Sequence, residues 1–162
     1  MKNSVKIGVL SDTHLHRVTE EFIEIYDRYL CVMDLILHAG DVVSPHLIDF
    51  LSSKEFHGVC GNMDPEAVRE LLPEKMVLNS AGYRIGLIHG WGQSDGLEDR
   101  ILPLFHNVDI IVYGHSHIAS NHVKEGILFF NPGTATGYSA SGKHSIGVLE
   151  LGETARGSII YL

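Results

Sequence analysis

Short apolar runs punctuated by glycine and polar residues recur along the first two thirds of the chain. Residues 5–10, 34–37, 56–60, 75–78, 84–88 and 109–113 each have the length and β-branched content of a strand. Between the early runs the hydrophobic period lengthens. Phe22, Ile25, Tyr26, Tyr29 and Leu30 recur on one face of a helix, which predicts a helix over 19–30 with Thr19 as its N-cap. Ser44-Pro45 and Asp64-Pro65 each join a capping residue to a proline, so helices should open at both, with Asp64 an N-cap. A weaker helical pattern covers 97–104. After Gly114 helical punctuation disappears, and strands are expected at 118–123, 127–130, 145–151 and 158–162. Alternating strand and helix followed by an all-strand tail implies an α/β core with further, largely antiparallel strands that stack as a second sheet. The Ser/Gly-rich stretch 134–143 reads as one mobile loop.

Composition bounds the picture without changing it. The 162 residues, 44% hydrophobic and 20% charged, fit one domain over 1–162 with a core of its own. No stretch approaches the ~20 apolar residues of a membrane span. The N-terminal run MKNSVKIGVL is too short for a signal sequence and passes straight into polar SDTHLH, so it is expected to be the first strand of a cytoplasmic protein. Two unpatterned cysteines, Cys31 and Cys60, agree with a reducing compartment. A net charge of −8 argues against membrane-surface or non-specific nucleic-acid binding, and an anionic substrate would need a local positive centre. Homo-oligomerisation is left open.

The polar residues collect at particular places. Asp12 and His14 follow the first predicted strand, Asp41 the second, Asn62 the third, His89 the fifth, and His115 and His117 the sixth. In open α/β sheets the C-terminal strand ends line one edge, where ligand crevices form. Glycine accompanies most of these groups, letting the backbone turn sharply beside a ligand. Each group alone reads equally well as a turn; five at five strand ends do not. Two aspartates, one asparagine and four histidines suit first-row divalent metals, and seven side chains exceed one closed tetrahedral site. They suit two ions, one carboxylate bridging, an arrangement able to stabilise the attacking and leaving oxygens of a displacement at phosphorus. Amidohydrolase and HExxH patterns are excluded by chain length and by sequence.

The order SDTH, AGD, GNMD, HG and GHSH, with NPGT at 131–134, resembles the calcineurin-like metallophosphoesterases, particularly the YfcE-type phosphodiesterases, over essentially the whole chain. That resemblance implies a four-layer α/β/β/α sandwich. It also implies that Asp12, His14, Asp41 and His117 hold one metal, and that Asp41 bridges to a second held by Asn62, His89 and His115. Asp41, Asn62 and His89 would serve catalysis as well. Two divalent ions are expected, Mn²⁺ first, with Fe, Zn, Ni or Co also admitted. The implied activity is hydrolysis of a small phosphate ester, a diester above all, by in-line attack of a metal-bridging hydroxide. The alternatives are a phosphomonoesterase and a non-catalytic scaffold of the same fold. His38 is expected to be buried behind the site, Trp91 to wall the cleft or pack, and Lys143 to reach over to phosphate. One position departs from many relatives. Where they carry GNHE, whose histidine is the presumed proton donor, this chain has Met63, and a thioether cannot act as an acid. Asp64 or His16 would have to replace it.

Overall fold

The computed structural model describes residues 4–162; the basic start of the N-terminal run falls at 1–3, outside them. Ten strands form: β1 (Val5–Leu10), β2 (Leu35–His38), β3 (Glu55–Gly58), β4 (Lys75–Ser80), β5 (Tyr83–Ile88), β6 (Ile110–Val112), β7 (Ser120–Lys124), β8 (Ile127–Asn131), β9 (Ser145–Leu151) and β10 (Ala155–Tyr161). They make two five-stranded sheets, ordered β10-β9-β1-β2-β3 and β4-β5-β6-β8-β7. β1, β2 and β3 run parallel, as do β5, β6 and β8. The remaining pairings are antiparallel.

The period of two along the central strands explains the layering. Ile7, Val9, Leu37, Ile85, Leu87 and Val112 point into the space between the sheets. Their neighbours Leu10 and Ile36 face the opposite way, against Phe22, Leu30, Leu47 and Leu51 of the helices. Ile111 and Phe129 face out from the second sheet toward Ile101 and Phe105. Three apolar layers therefore separate four structural ones, giving the α/β/β/α sandwich. Gly8 keeps the first interface tight, since a Cβ there would lie 2.8 Å from Leu30 Cδ2.

The helices are short. α1 (Glu20–Ile25) is capped by Thr19, whose hydroxyl accepts from Phe22 N, and continues as a π-helical turn over Tyr26–Leu30. α2 (Pro45–Leu51) is capped by Ser44 with proline in the first turn, as the sequence predicts. α3 (Glu66–Arg69) follows Pro65, and α4 (Leu97–Ile101) runs into a 3₁₀ turn at Leu102–Leu104. No helix among the described residues is long and apolar enough to cross a membrane.

Two expectations change. The C-terminal strands do not stack as a sheet of their own: β9 and β10 join the first sheet, and β7 and β8 complete a second sheet begun by β4–β6. The reason lies in β9, which is apolar on both faces, with Ile146 toward the helices and Leu149 and Leu151 toward the second sheet. Such a strand belongs inside a doubly covered sheet, beside β1. The second change is Asp64, which does not cap α3; Pro65 holds the cap position without a side-chain bond.

Candidate metal centre

The C-terminal ends of β1, β2 and β3 in one sheet meet those of β5 and β6 in the other, and the loops leaving them bring all seven predicted residues together. Asp12, Asp41 and His89 form a buried floor, His14, His115 and His117 half-buried walls, and Asn62 an exposed rim. The His14, His89 and His117 Nε2 atoms lie 3.8, 3.7 and 3.2 Å from Asp12 Oδ1. Asp41 Oδ2 lies 3.5 Å from His14 Nε2 and 3.3 Å from His89 Nε2. Asn62 Oδ1 faces His89 Nε2 at 3.0 Å and His115 Nδ1 at 3.1 Å.

The hydrogen bonds at the far side of each ring decide what these rings present. His89 Nδ1–H donates to the Ala39 carbonyl at 2.7 Å, and His115 Nε2–H to the Gly92 carbonyl at 2.7 Å. His117 Nδ1–H donates to the Tyr138 carbonyl. A carbonyl only accepts, so in each neutral ring the other nitrogen turns a lone pair toward the carboxylates and the Asn62 oxygen. Lone pairs facing lone pairs repel unless a cation lies between them. Asp12 Oδ1 and His14 Nε2 are, among the described residues, the two buried side-chain polar atoms without a hydrogen-bond partner, and both point into this space. Burial opposes the Asp12 carboxylate, but His117, His14 and His89 around it hold its carboxyl well below the usual range. Asp12 in turn pushes the His117 imidazole up to about 9. The donor set therefore fits divalent cations: Asp12, His14 and His117 converge as one group, and Asp12, Asp41 and His89 as another.

The loops hold these positions under backbone strain. Asp12, His14, Asp41, His115 and His117 all adopt left-handed φ between 49° and 70°. The β-branched Val43 does so at 74°, a conformation that persists only where its surroundings impose it. Gly61 admits the Asp41 loop: a Cβ there would lie 2.7 Å from Asp41 N and 2.8 Å from His89 Cδ2.

Several supporting residues escape sequence reasoning about the site. The buried Asp64 carboxylate accepts from Gly61 N at 2.7 Å, Asp41 N at 3.0 Å and Val43 N at 2.6 Å, tying the Asp41 loop to the Asn62 loop. Asn131 Nδ2 donates to the Gly114 carbonyl and to Ser116 Oγ, bracing the His115–His117 turn. Thr134 Oγ1 donates to the Asp12 carbonyl at 2.8 Å and Thr136 Oγ1 to the Thr13 carbonyl at 2.7 Å. The start of 134–143 is thus a strap over the Asp12–His14 turn rather than a free loop. The NPGT motif contains two of these braces, Asn131 and Thr134. Nothing local signals Asp64, whose sequence context imitates a helix cap.

The remaining expectations divide. His38 is fully buried: its Nδ1 accepts from Gly40 N, leaving Nε2–H for Thr13 Oγ1 at 3.0 Å. Burial pushes its pKa down to about 3, so it stays neutral. Trp91 is 46% exposed and walls a cavity that starts at Asn62 and His89. The Lys143 ammonium lies over the Tyr161 ring at 5.8 Å, a cation–π contact the sequence did not suggest. Met63 is exposed, and its backbone N–H donates to Asp41 Oδ1 at 2.8 Å. Asp64 has both oxygens occupied by N–H donors, which leaves it no part as a proton relay.

Comparison with known proteins finds relatives of the chain and of its fold. A model of the calcineurin-like phosphoesterase superfamily domain matches residues 5–154. A probable metallophosphoesterase of Methanocaldococcus jannaschii is 37% identical over 135 residues, 80% of this chain and 68% of that protein. Among solved structures, a novel archaeal phosphodiesterase superposes with a TM-score of 0.75 at 25% identity, covering 98% of this chain and all of that one. The zinc complex of Vps29 from Entamoeba histolytica superposes with a TM-score of 0.72, also at 25% identity, covering 97% and 99% of the two chains.

Proposed function

The chain belongs to the calcineurin-like phosphoesterase superfamily, and from that membership we propose that it is a dinuclear metal-dependent phosphoesterase whose preferred substrates are phosphodiesters. The observation that supports this reading above the others is the set of imidazoles held by carbonyls so that their lone pairs meet the carboxylates. Asp12, His14, Asp41 and His117 would hold one ion, and Asn62, His89 and His115 the second. Asp41 would be shared, in keeping with an Oδ2 that lies near one imidazole of each set. Bound there, divalent cations supply Lewis-acid charge that activates water and offsets charge on the phosphoryl oxygens. Mn²⁺ is our first choice, and the mixed nitrogen and oxygen donors also admit Fe, Zn, Ni or Co. Asn62 and His115, at the mouth, and His89 behind them would help place the phosphate. The unpatterned cysteines support a cytoplasmic setting.

Position 63 shapes the preference. With Met63 exposed and Asp64 committed to backbone donors, no side-chain acid on this loop can protonate the departing oxygen. Aryl or nucleotide leaving groups, which depart without strong protonation, would therefore be favoured over simple alkyl ones.

The test compares chelated with Mn²⁺-reloaded protein on bis(p-nitrophenyl) phosphate. Turnover is expected only after reloading, and Asp12→Ala and His89→Ala should abolish it. Faster turnover of p-nitrophenyl phosphate than of the diester would favour a phosphomonoesterase. No metal-dependent turnover of any phosphate ester would sink the enzyme reading in favour of a protein-sorting scaffold, the reading that the likeness to Vps29 supports.

A further inference from the structure

Two cavities open from the metal centre and share no lining residue. The first, about 430 Å³, is lined by Asn62 and His89, by Ile88, Leu104 and Trp91, and by the charged Arg69, Glu74 and Lys75. The second, about 640 Å³, begins at His115 and His117 and runs past Ile118 toward Tyr138 and Tyr161. Both volumes suit a small organic group. Each cavity carries exposed aromatic surface: Trp91 is 46% exposed, Tyr138 78% and Tyr161 60%. A phosphate monoester has one organic arm and would leave one of these grooves empty. A diester has two, departing from the same phosphorus in different directions.

We infer that the grooves are the two arm subsites of a phosphodiester, with Trp91 stacking on a planar ring, aryl or nucleobase, and Tyr138 walling the second arm. The inference rests on the proposed metal-dependent reading and names the substrate for it. Trp91 follows Gly90, whose φ of 99° turns the chain directly after His89, and both Trp91 and His89 line the first cavity. The Tyr138 carbonyl accepts from His117, which fixes the second wall to a proposed metal ligand. Both walls thus adjoin residues that would hold the metals. A ring stacked on an aromatic side chain is worth roughly tenfold or more in affinity.

Trp91 is the one tryptophan of the chain, so its emission reports on the first groove directly. The full-length Mn²⁺-loaded protein is titrated with diphenyl phosphate, phenyl phosphate and inorganic phosphate. Diphenyl phosphate is expected to bind about tenfold tighter than phenyl phosphate, with a blue shift of Trp91 emission that inorganic phosphate does not produce. Tyr138→Ala should bring diphenyl phosphate down to the affinity of phenyl phosphate while leaving inorganic phosphate unchanged. The inference is overturned if the diester binds no tighter than the monoester, if it leaves Trp91 emission unmoved, or if Tyr138→Ala does not alter its affinity. Hydrolysis is scored separately. A protein that turns over diesters without these binding differences keeps the enzyme reading and loses the two-groove one. A protein that binds diphenyl phosphate in this way but hydrolyses nothing does the reverse.

Discussion

Replacing Asp64 with asparagine changes one atom type and tests how the site is held. The carboxylate sits 4% exposed between two loops, Oδ2 accepting from Gly61 and Asp41 and Oδ1 from Val43. Asparagine keeps a single acceptor oxygen. Its less costly orientation leaves that oxygen on Gly61 and Asp41 and turns the amide NH₂ against the Val43 N–H, donor to donor. One buried hydrogen bond to a charged acceptor is then lost, at a cost of about 1–3 kcal/mol. Because that bond restrains Val43 in its left-handed conformation, the Asp41 loop should relax. Asp64→Ala removes both acceptor oxygens, and with them all three bonds, at a combined cost of about 3–5 kcal/mol, large against a total stability of roughly 5–15 kcal/mol. The asparagine variant is the informative one. Urea unfolding of the metal-free proteins should show a loss of about 2 kcal/mol, and calorimetric titration with Mn²⁺ should show affinity reduced about 10–100-fold, as for other residues that orient metal ligands. A variant with wild-type metal affinity would refute the clamp as a positioning device, even if it were less stable. Wild-type values of both would refute the hydrogen-bond assignment itself.

Other outcomes follow from the same geometry. Gly61→Ala places a methyl group against Asp41 N and His89 Cδ2, so Mn²⁺ content after reloading, measured by mass spectrometry, should fall at least tenfold; full occupancy would show that the loop yields freely. Met63→His would place an acid on this loop and should raise turnover of dialkyl phosphodiesters relative to bis-aryl ones; an unchanged ratio would disprove the explanation given for Met63. His38 binds a proton near pH 6.5 when unfolded but only near about 3 when folded. The unfolded state therefore holds more protons in that window, and the group's contribution makes stability fall as pH drops from 6.5 toward 3, by up to about 1.4 kcal/mol per pH unit. Urea midpoints for His38→Gln should fall less than wild type between pH 6.5 and 4.5; parallel curves would exclude His38 as the cause.

Much of this molecule is encoded locally. The alternation of Ile7, Gly8, Val9 and Leu10 dictates a strand buried on both faces, and Ser44-Pro45 dictates a helix start, because both depend on a few bonds between near neighbours. The glycine and polar pairs at strand exits marked, in the same way, the seven residues that the structure brings together. Asp64-Pro65 obeyed the same local grammar and misled, since the carboxylate finds three N–H donors across two loops that no single window contains. The sequence by itself thus determined the strands, their burial and the identity of the chemical groups. The tertiary structure decided which strand ends face one another, placing β9 beside β1 and bringing the β5 and β6 exits onto those of β1–β3. It also chose the carbonyls of Ala39, Gly92 and Tyr138 that fix the imidazole tautomers, partners 21 to 50 residues away in the chain. The physical reason is that sheet pairing is settled by burying two apolar faces at once, a condition on the whole chain, and the lone pairs that make a metal site follow from it.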